Sequence, residues 1–152
     1  LVFVAALIGL QGEHGQLSFD QFSPGEVRAA QYLYTTAPKG SVLVDAASNV
    51  PSRLNERYND FNDGGGDLYD LRYFLPTDRS TITAQDMTRI DDHYAGVPNV
   101  YVIISKSQIA YAHYFGYLRD GLIESLQRTM ETSPFWKVIY RNDDAVIYKS
   151  LN

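Results

Sequence analysis

The chain of 152 residues contains no cysteine, which excludes disulfides, thiolate metal sites and thiol-based catalysis. It also contains no Asn-x-Ser/Thr sequence, so no glycosylation signal indicates where the protein resides. Basic residues are few: 13 Lys and Arg stand against 18 Asp and Glu, giving a net charge of −5. Because proteins that track phosphates need a basic face, we expect no nucleic-acid partner and no attraction to anionic membrane surfaces.

Sequence motifs for catalysis and metal binding are also missing. There is no HExxH motif and no GxSxG nucleophile elbow, and the glycines at 64–66 lack the Gly-Lys-Ser/Thr ending of a phosphate loop. Counted as an EF-hand from Asp60, the acidic segment places Leu71 at the twelfth position, where a bidentate Glu is required. The three histidines, at 14, 93 and 113, are dispersed. We therefore expect no metal, no cofactor and no catalytic residue in this chain.

The longest apolar run is short and lies at the start of the sequence. Leu1–Leu10 has no charged or polar side chain, and as a helix it would cover about 15 Å, half of a bilayer core. It has no basic residues before it, as a signal peptide would. We expect residues 1–10 to be an apolar segment, either the end of a transmembrane helix or a part packed in the domain. Residues 11–152 are expected to form a single α/β domain.

Three helices are predicted from capping and periodicity. Ser23 can cap a helix with Pro24 at its first position and Glu26 completing a capping box, and this helix should run to about Ala37. Thr83, with an Asp three residues later, should begin a second helix that ends near residue 94. Residues 107–131 have a helical apolar repeat with a break at Asp120-Gly121.

Short apolar runs predict the strands. Residues 41–46 and 100–104 resemble buried strands of a parallel sheet. Residues 137–141 and 145–149 flank an Asn-Asp-Asp turn and predict a hairpin. We also expect a short helix at 53–58 and an edge strand at 68–75. Together these elements predict an α/β fold: a small sandwich whose mixed sheet has a parallel strand-helix-strand portion and a C-terminal β-hairpin.

Polar side chains follow both predicted parallel strands. Ligands of open α/β sheets bind outside the carboxyl ends of the strands, so these side chains are expected to share one edge and to suit a sugar or phosphate. The alternative is that they are helix caps and surface loop residues. The candidate substrate-binding residues are Asp45, Ser48, Asn49, Arg53, Arg57, Ser105, Lys106 and Gln108.

Aromatic residues are abundant, with 12 Tyr, 7 Phe and one Trp. Tyr111 and Phe115 are four residues apart on a predicted helix, the spacing of a core-facing stripe, whereas Tyr114 points to another side. The alternative is an aromatic face for glycan stacking or for contact with a partner protein.

Three stretches of the chain resemble a known family. Residues 133–148 (SPFWKVIYRNDDAVIY), residues 22–27 (FSPGEV) leading through Ala37–Ser41 (APKGS) into the first strand, and residues 102–108 (VIISKSQ) are similar to the C-terminal soluble region of GT-C-type glycosyltransferases and related actinobacterial polytopic membrane proteins. In those enzymes the catalytic acidic residue lies between early transmembrane helices, so the resemblance carries no catalytic residue to this chain.

The resemblance implies a location and a role. It implies the extracytoplasmic side of a cell membrane, next to the protein's own transmembrane region and in the setting of cell-wall synthesis. It also implies an accessory module that binds or positions a glycan or a polyprenyl-phosphate-linked sugar. The alternative is a non-catalytic interaction domain that docks onto its own membrane part or onto a partner protein.

Overall fold

A computed structural model describes residues 21–62 and 68–151; the apolar segment 1–10 and the glycine loop 63–67 lie outside this range. The described part contains four α-helices, five strands and two short 3-10 helices. The helices are α1 (Pro24–Thr36), α2 (Ala84–Tyr94), α3 (Lys106–Phe115) and α4 (Leu122–Thr132), and the 3-10 helices are Glu56–Asp60 and Leu71–Phe74. The strands are β1 (Val42–Asp45), β2 (Tyr69–Asp70), β3 (Val100–Ser105), β4 (Trp136–Arg141) and β5 (Ala145–Ser150).

The strands form one mixed sheet in the order β2-β1-β3-β5-β4. β1 is parallel to both of its neighbours, and its last residue, Asp45, is in register with Asp70 on one side and Ile103 on the other. β3, β5 and β4 pair antiparallel, with β4 and β5 forming the C-terminal hairpin. The predicted mixed sheet, its parallel portion and its hairpin are confirmed.

Helices cover both faces of the sheet, because strand side chains alternate between two cores. On one face α1 packs against Leu43, Tyr101 and Ile147. On the other, the buried residues of α2 and α4 cluster with Val44 and Val102. The result is a three-layer sandwich.

Both predicted capping boxes are present. Ser23 Oγ accepts the Glu26 N–H at 3.1 Å, and Glu26 Oε2 accepts the Ser23 N–H at 2.8 Å. The same reciprocal pair joins Thr83 and Asp86. Since each box satisfies backbone donors that the first helical turn leaves unpaired, these local interactions place the starts of α1 and α2.

Three predicted elements are corrected. The edge strand at 68–75 ends at Asp70, whose side chain accepts the Arg72 N–H at 2.8 Å and caps a 3-10 helix. The short helix expected at 53–58 is displaced to Glu56–Asp60, behind an Asn55 cap. The helical break begins earlier than expected, at Gly116, whose φ of 64° ends α3 in the left-handed region.

The core-facing stripe on α3 is also wrong. Tyr111 and Phe115 are in contact, with ring centroids 4.7 Å apart, but Phe115 is 44% exposed. The buried residues of α3 are Ser107, Gln108 and Ala112, so the helix leaves the core before its last turn. Within residues 21–62 and 68–151, no helix is both long and apolar enough to cross a bilayer.

Candidate functional site

The loops after β1 and β3 lie side by side, as the parallel arrangement predicts. Asn49 Nδ2 donates to the Ser107 carbonyl at 3.2 Å, and Ser107 Oγ donates to the Asn49 carbonyl at 3.1 Å. Gln108, which is fully buried, accepts the Ala46 N–H at 3.1 Å through Oε1. These hydrogen bonds fill the space between the two loops with the loops' own polar groups.

A second network occupies the edge beyond β3. Ser107 N–H donates to Glu26 Oε1 at 2.7 Å, and the Ser105 and Ser107 hydroxyls lie 3.1 Å apart. Lys106 Nζ contacts Asp144 Oδ1 at 3.0 Å, and Asp144 Oδ2 accepts the Ser23 hydroxyl at 2.8 Å. Burial alone would raise the pKa of Glu26, but hydrogen bonds from Ser107, Ser23 and Ser105 lower it. This network joins the starts of α1 and α3 to the hairpin turn.

Two predicted site residues lie elsewhere. Arg57 donates to the carbonyls of Thr35 and Ala37 at 3.1 and 3.0 Å, beyond the last turn of α1. Because α1 begins at the carboxyl edge of β3 and runs back along the sheet, its last turn is at the amino edge. The guanidinium of Arg53, in the same stretch of chain, lies 5.6 Å from the centroid of the Tyr58 ring. Arg57 therefore lies at the opposite edge of the sheet from the loops that follow β1 and β3.

A pocket opens at the carboxyl end of β1 and β2, one strand away from the predicted position. Its volume is about 580 Å³, within the range of small-molecule sites. Other cavities in the described part of the chain have volumes from about 120 to about 460 Å³. The lining residues of the larger pocket are Ser48, Leu68, Tyr69, Asp70, Arg72, Tyr73, Phe74, His93 and Tyr94. We call this cavity the β1/β2 pocket.

Ser48 links two carboxylates beside this pocket. Its N–H donates to Asp45 Oδ1 at 2.9 Å, and its hydroxyl donates to Asp70 Oδ2 at 2.9 Å. The two aspartates are the in-register last residues of β1 and β2, so the parallel pairing holds them next to each other. Ser48 and Asn49 both have positive φ, at 53° and 63°, and this left-handed turn lets the chain fold back over the strand ends.

Arg72 supplies the positive charge of the β1/β2 pocket. Its Nη2 lies 2.9 Å from Asp70 Oδ2, and its guanidinium lies 5.2 Å from the Tyr73 ring centroid and 4.9 Å from that of Tyr117. Burial by itself would lower the pKa of Arg72, but the Asp70 carboxylate raises it. The 3-10 turn that Asp70 caps is what places Arg72 back over this carboxylate.

Aromatic rings form the rest of the wall. Tyr73 is 79% and Tyr69 45% exposed, so both present ring surface to solvent. Phe74 lies 4.5 Å from the His93 ring, which in turn lies 4.8 Å from the Tyr94 ring. The β1/β2 pocket therefore combines flat apolar surfaces with charged and hydroxyl groups.

Asp45 has the most perturbed acidity at this edge. The residue is 6% exposed. Its pKa is raised to about 7, mainly by burial and in part by the charge of Asp70, while the Ser48 N–H and Arg72 oppose the rise. Burial also raises the pKa of Tyr94 to about 12, with the charge of Asp45 adding to the effect. Near neutral pH the Asp45 carboxyl thus exchanges between an acceptor and a donor form.

No set of three or more Asp, Glu or His side chains converges in a geometry for a metal ion within the described ranges. The polar groups of the β1/β2 pocket can accept hydrogen bonds at Asp70, donate them at Arg72, and do both at the Ser48 hydroxyl.

Asp70 and Arg72 are the residues that the sequence interpretation missed. A signal was available: Leu-Tyr-Asp at 68–70 repeats the apolar-then-Asp ending of Leu-Val-Asp at 43–45. When residues 68–75 are interpreted as one continuous strand, Asp70 is not recognised as the last residue of a strand. Comparison of the chain with protein families, with curated proteins and with solved structures finds no match.

Proposed function

We propose that this domain is a soluble accessory module that binds a glycan or a lipid-linked sugar in the β1/β2 pocket. The observation that carries the proposal is the pocket itself. In it the carboxylate of Asp70 and the hydroxyl of Ser48 lie among the exposed rings of Tyr69 and Tyr73. Sugars present hydroxyl groups around a ring with apolar faces, so they match carboxylate acceptors combined with flat aromatic surfaces.

The position of the β1/β2 pocket also supports binding. It lies outside the carboxyl ends of two parallel strands, where open α/β sheets place their ligands. The family resemblance of the sequence supports placing the module on the extracytoplasmic side of a membrane, beside a glycosyltransferase-like membrane region. Chemistry on the sugar would then be performed by that region, with this domain holding or positioning the substrate.

NMR titration of the 152-residue chain with cell-wall oligosaccharides and sugar phosphates tests this proposal. We expect saturable shifts at Ser48, Asp70 and Tyr73, and a loss of binding of about tenfold or more in Tyr73→Ala, because that ring supplies stacking area. Tyr114→Ala is the matched control, since Tyr114 is 49% exposed on α3 and does not line the pocket. A spectrum that stays unchanged at millimolar ligand would contradict sugar binding.

A second candidate function is docking onto the protein's own membrane part or a partner protein. It is favoured by an exposed aromatic cluster at the end of α3, where the Phe115 and Tyr117 rings stack at 5.4 Å with Tyr114 next to them. Interfaces are enriched in aromatic residues. Replacing Tyr114 and Phe115 by serine distinguishes the two functions, because it should leave sugar titrations unchanged and weaken only docking.

A further inference from the structure

We propose that the β1/β2 pocket binds an uncharged sugar ring that donates hydrogen bonds to it, and that a phosphate or pyrophosphate attached directly to that ring weakens binding. This inference rests on the proposed function and names the part of the ligand that is bound. It follows from how Asp70 and Arg72, which both line the pocket, are already paired with each other.

The positive charge available to an anionic ligand is small. Among the described residues that line the pocket, Arg72 is the single lysine or arginine, and its Nη2 lies 2.9 Å from Asp70. Its guanidinium also lies 5.2 Å from the Tyr73 ring centroid and 4.9 Å from that of Tyr117, so two aromatic rings share the same cation. A phosphate would have to compete with Asp70 for this cation and would lie next to that carboxylate. Like charges at such distances oppose binding.

The acceptor groups favour a ligand that donates. Asp70 uses Oδ1 for the Arg72 N–H and Oδ2 for Ser48 and Arg72, and each carboxylate oxygen has two lone-pair directions. The Ser48 hydroxyl gives its proton to Asp70, so its remaining capacity in this arrangement is as an acceptor. Sugar hydroxyls and the N–H of an acetamido group supply donors that a phosphate oxygen lacks.

The aromatic rings that line the pocket also favour a neutral ligand over an anion. Tyr69, Tyr73, Phe74 and Tyr94 line the pocket, and the negative faces of aromatic rings attract C–H groups and cations rather than anions. A phosphate bound there would lose its water without gaining comparable partners. The ring of a neutral sugar loses less hydration free energy when it moves from water into the pocket.

Calorimetric titration with three matched ligands tests this inference: N-acetylglucosamine, its 1-phosphate, and a neutral N-acetylglucosamine-containing disaccharide. We expect the two neutral ligands to bind and the phosphorylated one to bind about tenfold more weakly or worse. Tighter binding of the phosphate would overturn the inference while leaving the proposed function intact. Absence of binding by all three ligands would instead contradict the proposed function, and the inference that rests on it would fail with it.

A single substitution sharpens the test. Asp70→Asn keeps an oxygen to accept the Arg72 N–H but removes the charge that Arg72 balances, so the freed guanidinium should attract anions. We expect the phosphate ligand to bind about tenfold more tightly in D70N than in the unaltered chain, and the neutral sugar more weakly. An equal change for both ligands would overturn the proposed charge selection. The ranking on the unaltered chain decides the question if D70N does not fold.

Discussion

The carboxyl edge of the sheet has two halves, which contain similar polar residues but differ in what those residues contact. Beyond β3, Ser107 bonds to Glu26 and Lys106 pairs with Asp144, and the cavity beside Lys106 and Asp144 is only about 210 Å³. Beyond β1 and β2, Asp70 and Ser48 also bond to each other, yet they line a pocket of about 580 Å³. The first half, which we call the closed half, joins the starts of α1 and α3 to the hairpin. The second, which we call the open half, faces space that a ligand can enter.

Polar residues at strand ends therefore do not by themselves form a ligand-binding site. What distinguishes the two halves is the element that follows each strand. α3 follows β3 directly, so its first turn covers the strand end and its N–H groups take Glu26 as acceptor. After β2, a 3-10 helix turns the chain aside and leaves the strand ends of β1 and β2 open.

The largest expected effect is on the closed half. Glu26→Ala removes a buried carboxylate that accepts the Ser107 N–H at 2.7 Å and the Ser23 N–H at 2.8 Å. Two backbone donors and nearby hydroxyls would lose their partner, which we expect to lower the free energy of unfolding by about 4 kcal/mol. Urea denaturation measures the change, and Glu56→Ala, at an exposed position in a 3-10 helix, serves as the control.

The pH dependence of the Glu26 effect gives a second readout. Because hydrogen bonds lower the pKa of Glu26 in the folded chain, its contribution is present above the pKa of an unfolded glutamate and declines as pH falls below it. The difference between E26A and the unaltered chain should therefore shrink in acid. A difference that is constant from pH 3 to pH 7 would contradict the charged network.

Gly25→Ala should also damage the closed half, although alanine favours helix more than glycine does. A Cβ on Gly25 would overlap Asp144 Oδ2 and lie 2.9 Å from its Cβ and Cγ. Moving Asp144 away would break its contacts with Ser23 and Lys106, and we expect a loss of about 3 kcal/mol in unfolding free energy. In an Asp144→Gly background the same change should cost little. Equal losses in both backgrounds would show that another contact is responsible.

The sequence predicts those features that depend on neighbours along the chain. Capping boxes at Ser23 and Thr83 place two helix starts, and the apolar runs with an Asn-Asp-Asp turn place the hairpin. The meeting of the β1 and β3 loops follows from parallel pairing alone. Local patterns do not predict which polar groups bond to each other across the chain. The contact of Glu26 with Ser107, for example, joins residues 81 positions apart.

Two misplaced predictions have the same origin. Residues 68–75 have the composition of a strand, but the Asp70 side chain offers the Arg72 N–H a local partner, and that bond competes with sheet pairing. Arg57 was expected at the site because it follows β1 in sequence, whereas the carbonyls at the end of α1 draw it to the opposite edge. In both cases a side chain to backbone bond decides the placement.

On the open half, Asp45 should make stability depend on pH in the opposite direction to Glu26. Burial raises its folded pKa to about 7, so its favourable contribution is complete below the unfolded pKa and is lost as pH rises through 7. Asp45→Asn can still accept the Ser48 N–H and carries no charge. We expect it to stabilise the chain by about 2 kcal/mol at pH 8 and to have little effect at pH 4.

Thermal unfolding of D45N between pH 4 and pH 8 measures this change. Asp92→Asn is the matched control, because Asp92 is exposed on α2 and its substitution should leave the pH profile unaltered. If D45N loses stability at pH 8, Asp45 gains more from its charged form than burial costs it, and the assignment of a raised pKa is wrong.

The smallest effect on stability is expected from Ser48→Ala, and it separates the two halves most directly. The change removes one hydroxyl bond to Asp70 and keeps the N–H that bonds to Asp45, so unfolding free energy should fall by about 1 kcal/mol. Ser52→Ala in the same loop is the control, since Ser52 does not line the pocket. In the closed half a lost hydrogen bond affects folding alone. In the open half the loss of this hydroxyl should also weaken sugar binding, because the pocket loses a polar group and Asp70 loses one of the bonds that orient it. A stability loss equal to that of E26A, with sugar binding unchanged, would mean that Ser48 belongs functionally to the closed half.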